Sequence, residues 1–186
     1  MNVKGKRENI TMKKLLKYTG ICSFILALIA FILMLSTNSL EYHGEHTEAA
    51  ISGILGTFGG VVASLNLGPL GTVSATYNAT WSAVIAFILI LVAMIILLAG
   101  FILPLLKIHT LDKVAGILNL VSVLALIVAG IFLFIELPCF VGAQNGNVKL
   151  DNWTLGAGWI VGGIMCLFAG VVAILPAAFD FLGKKK

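Results

Sequence analysis

Charge is what this chain has least of. Asp, Glu, Lys and Arg make up 11% of its 186 residues, whereas a soluble domain averages about 25%. The scarcity excludes an ordinary water-facing surface. With 60% hydrophobic residues and a mean hydropathy of +1.08, the chain needs lipid as its solvent. Arginine is scarcer still: Arg7 stands alone beside eleven lysines, a bias that points to an AT-rich, bacterial genome. Cysteine is limited to Cys22, Cys139 and Cys166, which excludes a disulfide framework. On the crossings drawn below, their depths differ by about 10 Å or more at 1.5 Å rise per residue, too far for a bridge. They read as small apolar packing residues, with Cys139 the one outward thiol able to pair between chains. No basic stripe is present, so nucleic acid is excluded as a partner.

What is there is four long apolar runs. The first covers 18–35, the second 81–103, the third 114–137 and the fourth 155–179. The second carries no charge, and its length spans a hydrocarbon core of about 30 Å with slight tilt. Trp81 stands at its outer interface, where an amphipathic ring prefers to lie, and Pro104 closes it. Pro138 ends the third run. Trp153 and Trp159 open the fourth. The first run is longer than the apolar core of a signal peptide, about 7–15 residues, and no A-x-A site follows it. Met12-Lys13-Lys14 resembles a bacterial start, so residues 1–11 read as an upstream extension.

Drawn as four crossings, these runs put eleven of the twelve basic residues on one side, with Lys149 alone opposite. Positive charge in short flanking segments stays in the cytoplasm. Both ends are therefore expected inside, with a basic, loose tail over 1–17, an inner turn over 104–113 and a second tail over 180–186. The lysines anchor at anionic headgroups of the inner leaflet. Outer loop 1 spans 36–80 and outer loop 2 spans 138–154. The uncharged stretch 49–65 is not a fifth crossing. Gly53, Gly56, Gly59 and Gly60 each weaken a helix by about 1 kcal/mol, and a fifth crossing would move a block of lysines to the wrong side.

Loop 1 reads as strand. Thr72 to Asn78 alternates polar and apolar residues, the period of a half-buried strand. Val61, Ala63, Leu65 and Leu67 alternate with Ser64 and Asn66, though Val62 breaks the pattern, and Gly68-Pro69-Leu70-Gly71 before Thr72 is a turn signal. Loop 2 offers a second hairpin at Asn145-Gly146, with Val148 and Leu150 alternating after it. A lone hairpin is marginal, so the two are expected to pack together. Ile51, Leu55 and Phe58 suggest a short helix over Glu48–Phe58. The expected fold is an all-α membrane protein, a four-transmembrane-helix bundle with a small extracytoplasmic β-hairpin or sheet domain from loops 1 and 2. This layout resembles the claudin-like membrane proteins in topology. Their first-loop cysteines and Gly-Leu-Trp are missing here, and Trp81 stands only at the loop's end. The resemblance implies a left-handed bundle capped by a small outer sheet, a layout that hosts unrelated functions.

The stretch Glu41 to Glu48 is the most chemical. The stretch reads first as a solvated acidic stem leaving the membrane, though His43, Glu45 and His46 supply donor types that suit a divalent metal. On a helix, His43 and His46 would share a face. Glu136 is the one acid in an apolar run, at the end of the third crossing, where its carboxylate is expected to reach water. An ionisable residue within a membrane is otherwise a functional candidate. Asn119 and Ser122 share a face of the third crossing and read as interhelical hydrogen-bonding groups. Glu136, Asn119 and Ser122 together are the residues a transport path would use. In the fourth crossing Gly158, Gly162, Cys166 and Gly170 recur every four residues, with a shorter stripe, Ala125 and Ala129, in the third. Small residues let helices approach closely, either within one subunit or between copies. Asn78-Ala79-Thr80 and Asn152-Trp153-Thr154 are sequons without weight in a bacterial host.

No catalytic motif or cofactor box is present. The expected function is non-enzymatic: an assembly, scaffold or accessory protein in the bacterial cytoplasmic membrane, partnered by the bilayer and by itself or another membrane protein. The alternative is a subunit of a small transporter or channel.

Overall fold

The computed structural model describes residues 3–44, 48–66, 72–102, 111–144 and 150–182. Four helices among them are long and apolar enough to cross a membrane, with candidate spans Tyr18–Ser36, Trp81–Ile102, Gly116–Phe134 and Ala157–Leu175. They belong to α1 (Val3–Ser36), α3 (Trp81–Ile102), α4 (Leu111–Phe134) and α6 (Ala157–Leu182). Two short helices, α2 (Gly53–Phe58) and α5 (Glu136–Ala143), lie outside the spans, as do five strands. The chain is thus a mostly helical integral membrane protein with a small antiparallel sheet.

The four long helices close a ring in which α1 packs on α6, α6 on α4, α4 on α3 and α3 on α1. Its interior is lined by small and aliphatic side chains. Ala30, Met34, Ala83, Ala86, Ile90, Ala129, Leu133, Trp159 and Cys166 form one half of the core. Ala27, Ala93, Leu97, Val123, Ala125, Leu126, Ala169 and Ala173 form the other. Large apolar residues such as Ile32, Ile88, Leu124 and Phe168 point outward. That is the partition expected in lipid, where burying a large apolar side chain gains nothing over acyl chains and close backbone approach decides packing.

Among the described residues the strands gather at one end of the bundle, termed here the sheet end. β1 (Asn38–His43) leaves α1 directly and pairs antiparallel with β2 (Glu48–Ser52) on one side and β5 (Trp153–Leu155) on the other. The register is Leu40 opposite Leu155 and Tyr42 opposite Trp153. The first and last connections of the bundle are thereby stitched together. A bulge lies between Asn38 and Leu40, where the buried Ser39 hydroxyl donates to the Ile51 carbonyl at 3.1 Å. β3 (Gly60–Asn66) and β4 (Thr72–Tyr77) form a separate antiparallel hairpin. Leu40, Ile51 and Phe140 make a second, smaller core under the sheet. Phe140 lies 5.4 Å from Tyr77 and 5.5 Å from Trp153 between ring centroids.

Several expectations are corrected. Residues 3–17 are helical rather than a loose tail: α1 already begins at Val3, because Lys, Arg, Glu and Leu are good helix formers. The third crossing does not run to Leu137. α4 ends at Phe134, and a new helix, α5, starts after Ile135. The Pro138 ring would clash with the carbonyl four residues back, that of Phe134, so the helix breaks there. Pro138 then fits the first turn of α5, where a missing N–H is no loss.

The fourth crossing starts at Ala157, since Trp153–Leu155 is strand. Trp159 is not interfacial but fully buried, and its indole N–H donates to the Met34 carbonyl at 3.0 Å. Loop 2 forms no hairpin around Leu150, which lies in a 3₁₀ turn, Leu150–Asn152. Asn145, Gly146 and Val148 lie outside the described residues, as does the turn Gly68–Gly71. The second expected hairpin thus falls largely outside the described residues; the described strand that follows it, β5, pairs with β1 of loop 1. The β3–β4 hairpin itself is present where the alternation puts it. The short helix covers only Gly53–Phe58, with Ile51 in β2.

Candidate functional site

The site begins at the N-terminus of α3. The Val84 N–H donates to the Thr80 carbonyl at 3.1 Å, so Thr80 caps the helix. The next donors, at Ser82 and Ala83, have no partner within the helix. Glu136, in the first turn of α5, brings its carboxyl to this end. Ser82 Oγ donates to Glu136 Oε2 at 2.5 Å. The positive end of the α3 dipole favours an acid here. Glu136 is fully buried, and so are Thr80 and Ser82. This overturns the expectation that the carboxylate reaches water: the break after Phe134 turns the chain back over the bundle end and tucks the side chain inward.

Two oxygens are left over. Glu136 Oε1 and Thr80 Oγ1 are both buried without a hydrogen-bond partner. Burial pushes the carboxyl up to about 7 from 4.5, because the charged form loses its water. The Ser82 and Thr80 hydroxyls and the Ala83 N–H oppose that shift by less. A proton on Oε1 would turn an unpaired acceptor into a donor, and the neighbouring Thr80 oxygen is suited to accept. The chemistry available is therefore proton binding and release by one carboxyl near neutral pH.

The other end of α5 is held by a reciprocal amide pair. The Asn78 N–H donates to Gln144 Oε1 at 3.1 Å, and Gln144 Nε2 donates to the Asn78 carbonyl at 3.2 Å. Asn78 Nδ2 also donates to the Ala143 carbonyl at 3.0 Å. The residue noted as a sequon is thus part of a structural clasp.

The remaining candidates do not join this site. Asn119 faces Gly100, near the far end of α3, about 27 Å along the helix from Ser82. The Ser122 hydroxyl is buried and donates to its own helix, at the Asn119 carbonyl, 2.8 Å away. A transport path through Glu136, Asn119 and Ser122 would have to cross the apolar core between them. His43 lies in strand β1 rather than on a helix, with Nε2 4.0 Å from Glu41 Oε2. Glu45 and His46 lie outside the described residues. Among the described residues no group of three metal-binding side chains occurs.

The small-residue stripe of α6 is occupied inside the chain. A methyl at Gly158 would meet the Thr37 side chain, and one at Gly170 would lie 2.9 Å from Ile127. Gly162 lies against Ala30 and Leu133, and Cys166 is buried in the core. Two further positions of close approach escaped the sequence pattern: a methyl at Gly130 would come 3.0 Å from the Gly163 carbonyl. Nor did any sequence signal single out Ser23, whose hydroxyl donates to the Ala169 carbonyl at 2.6 Å and ties α1 to α6. Thr80 stood out only as part of a sequon, and Ser82 and Gln144 not at all, because their roles depend on α5 folding back. Compared with known families and with curated proteins, this chain matches no family and no curated protein.

Proposed function

We propose that this chain is a non-enzymatic assembly, scaffold or accessory protein of the bacterial cytoplasmic membrane. Both termini lie inside and the sheet end lies outside, on the strength of the lysine sorting. Its claudin-like layout is one of topology alone. The partner is a second copy or another membrane protein, with no nucleic acid and no cofactor involved.

The observation that carries the reading is the pair of open sheet edges. β2 and β5 are the outer strands of the three-stranded sheet, and the β3–β4 hairpin is two-stranded. Edge strands offer unpaired N–H and C=O groups for strand addition. The Gly158–Gly170 stripe is already filled by α1 and α4, so contact through the strands replaces contact through that helix face. The test is cysteine crosslinking in intact membranes from Ala50 in β2 and Thr76 in β4, both exposed, in a Cys22→Ser, Cys139→Ser background. A discrete crosslinked species from either edge supports the reading. Monomer alone from both edges sinks it.

A second reading, a subunit of a small transporter or channel, rests on the buried, half-partnered Glu136. Flux in proteoliposomes that disappears in Glu136→Gln would establish it, and unchanged flux would remove it.

A further inference from the structure

The helix α2 is built inside out. Its inward positions are Gly53, Gly56 and Thr57, all buried. Its outward positions are Ile54 and Phe58, which are 54% and 49% exposed. They lie four residues apart and so share one face. A helix between a protein core and water does the reverse, turning its large apolar residues inward. The inward face fits only small groups. A methyl at Gly53 would strike the Met34 carbonyl of α1, and one at Gly56 would strike the Ser39 side chain. The outward face continues into Val61, also exposed.

The depth of this face is set by α3 and α1. The Phe58 ring lies 5.1 Å from Phe87, edge to face, and Phe87 lies 5.3 Å from Phe31. Phe87 belongs to the candidate span that opens at Trp81. It is about 9 Å further along the helix axis than Trp81. Interfacial helices bury their apolar faces about 5–10 Å below the headgroups. The chain neighbours of Phe87 and Phe31, Ile88 of α3 and Ile32 of α1, are themselves exposed on the spans, as is Ile85.

We infer that α2 is a monotopic wedge, seated in the groove between α1 and α3, whose Ile54 and Phe58 side chains sit among the acyl chains of the sheet-side leaflet. The partner is the bilayer itself. The wedge holds the strand region flat against the membrane and fixes how far it stands from the headgroups. An aqueous face would set the Phe58 ring in water while it packs on Phe87, inside the candidate span.

The test is nitroxide accessibility in the full-length protein, reconstituted in phosphatidylcholine vesicles. Labels are placed singly at Ile54→Cys and Phe58→Cys in the Cys22→Ser, Cys139→Ser background. Ile88→Cys serves as the lipid-facing reference and His43→Cys as the aqueous one. The inference expects both α2 sites to match Ile88: high collision with oxygen, and several-fold lower collision with a neutral nickel chelate than at His43. Nickel accessibility equal to that of His43 overturns it. Low collision with both reagents also overturns it, because another protein or a second copy would then cover the face. Ile54 makes none of the ring contacts of Phe58, so its label reads the environment even where Phe58→Cys disturbs packing.

Discussion

The two short helices at the sheet end bury opposite kinds of residue. α5 turns Phe140 and Glu136 inward and leaves Pro138 and Gly142 exposed. α2 turns Gly53, Gly56 and Thr57 inward and leaves Ile54 and Phe58 exposed. The first arrangement suits a helix whose outer side meets water or headgroups; the second suits one whose outer side meets lipid. One end of a membrane protein thus presents two solvents, and amphipathicity alone does not tell which face is inside.

The largest effect should come from the large buried group of α5. Phe140→Ala should destabilise the protein by about 4 kcal/mol, measured by denaturant titration in micelles. Phe58→Ala should cost under about 1 kcal/mol in the same assay, because half of that ring already faces lipid in the folded state. Equal losses at the two positions would erase the contrast.

Gly53→Ala tests why α2 needs small residues inward. Its methyl would collide with the backbone carbonyl of Met34, and the Gly53 N–H already donates to the Thr37 carbonyl at 2.7 Å. Overpacking against backbone should cost about 3 kcal/mol. A fully stable Gly53→Ala variant would mean that α2 docks more loosely than its contacts show.

Glu136 makes the α5 side pH-sensitive. Its carboxyl titrates near 7 in the folded protein and near 4.5 when exposed, so the folded state binds the proton more tightly. The stabilisation from the neutral form is fully present below about 4.5. It is lost as pH rises, and the loss is complete once pH passes about 7. The total is about 3 kcal/mol. Glu136→Gln should therefore match the wild type at pH 4.5 and exceed it in stability at pH 8.5. A pH-independent difference between the two would show that burial leaves the carboxyl's affinity for its proton unchanged.

The smallest effect is expected at Gly162. A methyl there lies 3.5 Å from the Ala30 carbonyl, ordinary contact distance, so Gly162→Ala should change stability by less than about 0.5 kcal/mol. Gly158→Ala, aimed at the Thr37 side chain, should cost clearly more. A reversed order would mean that α6 is rotated from the packing described.

Much of the bundle was legible beforehand. Uninterrupted apolar runs have one stable outcome in lipid, so the four crossings follow from composition and length. Strict alternation over Thr72–Tyr77 likewise announces a strand. The candidate site was legible only as Glu136 standing out in an apolar run. Its burial, its Ser82 partner and its lone oxygen come from the break after Phe134. Pro138 signalled an end but not that a new helix would start beside it. β1 escaped notice because Asn38–His43 is polar and mixed in pattern. It becomes a strand through β2 and through β5, which lies more than a hundred residues away.

The sequence alone determined the solvent and the four long apolar helices. These follow from transfer energies that each residue carries whatever its neighbours are. Only the tertiary structure decided which faces were used: the α6 stripe turned inward on α1 and α4, Trp159 buried rather than interfacial, Glu136 capped by α3, and α2 reversed toward lipid. Such choices depend on distances between segments far apart in the chain, where a backbone approaching within a methyl's width outweighs any local preference.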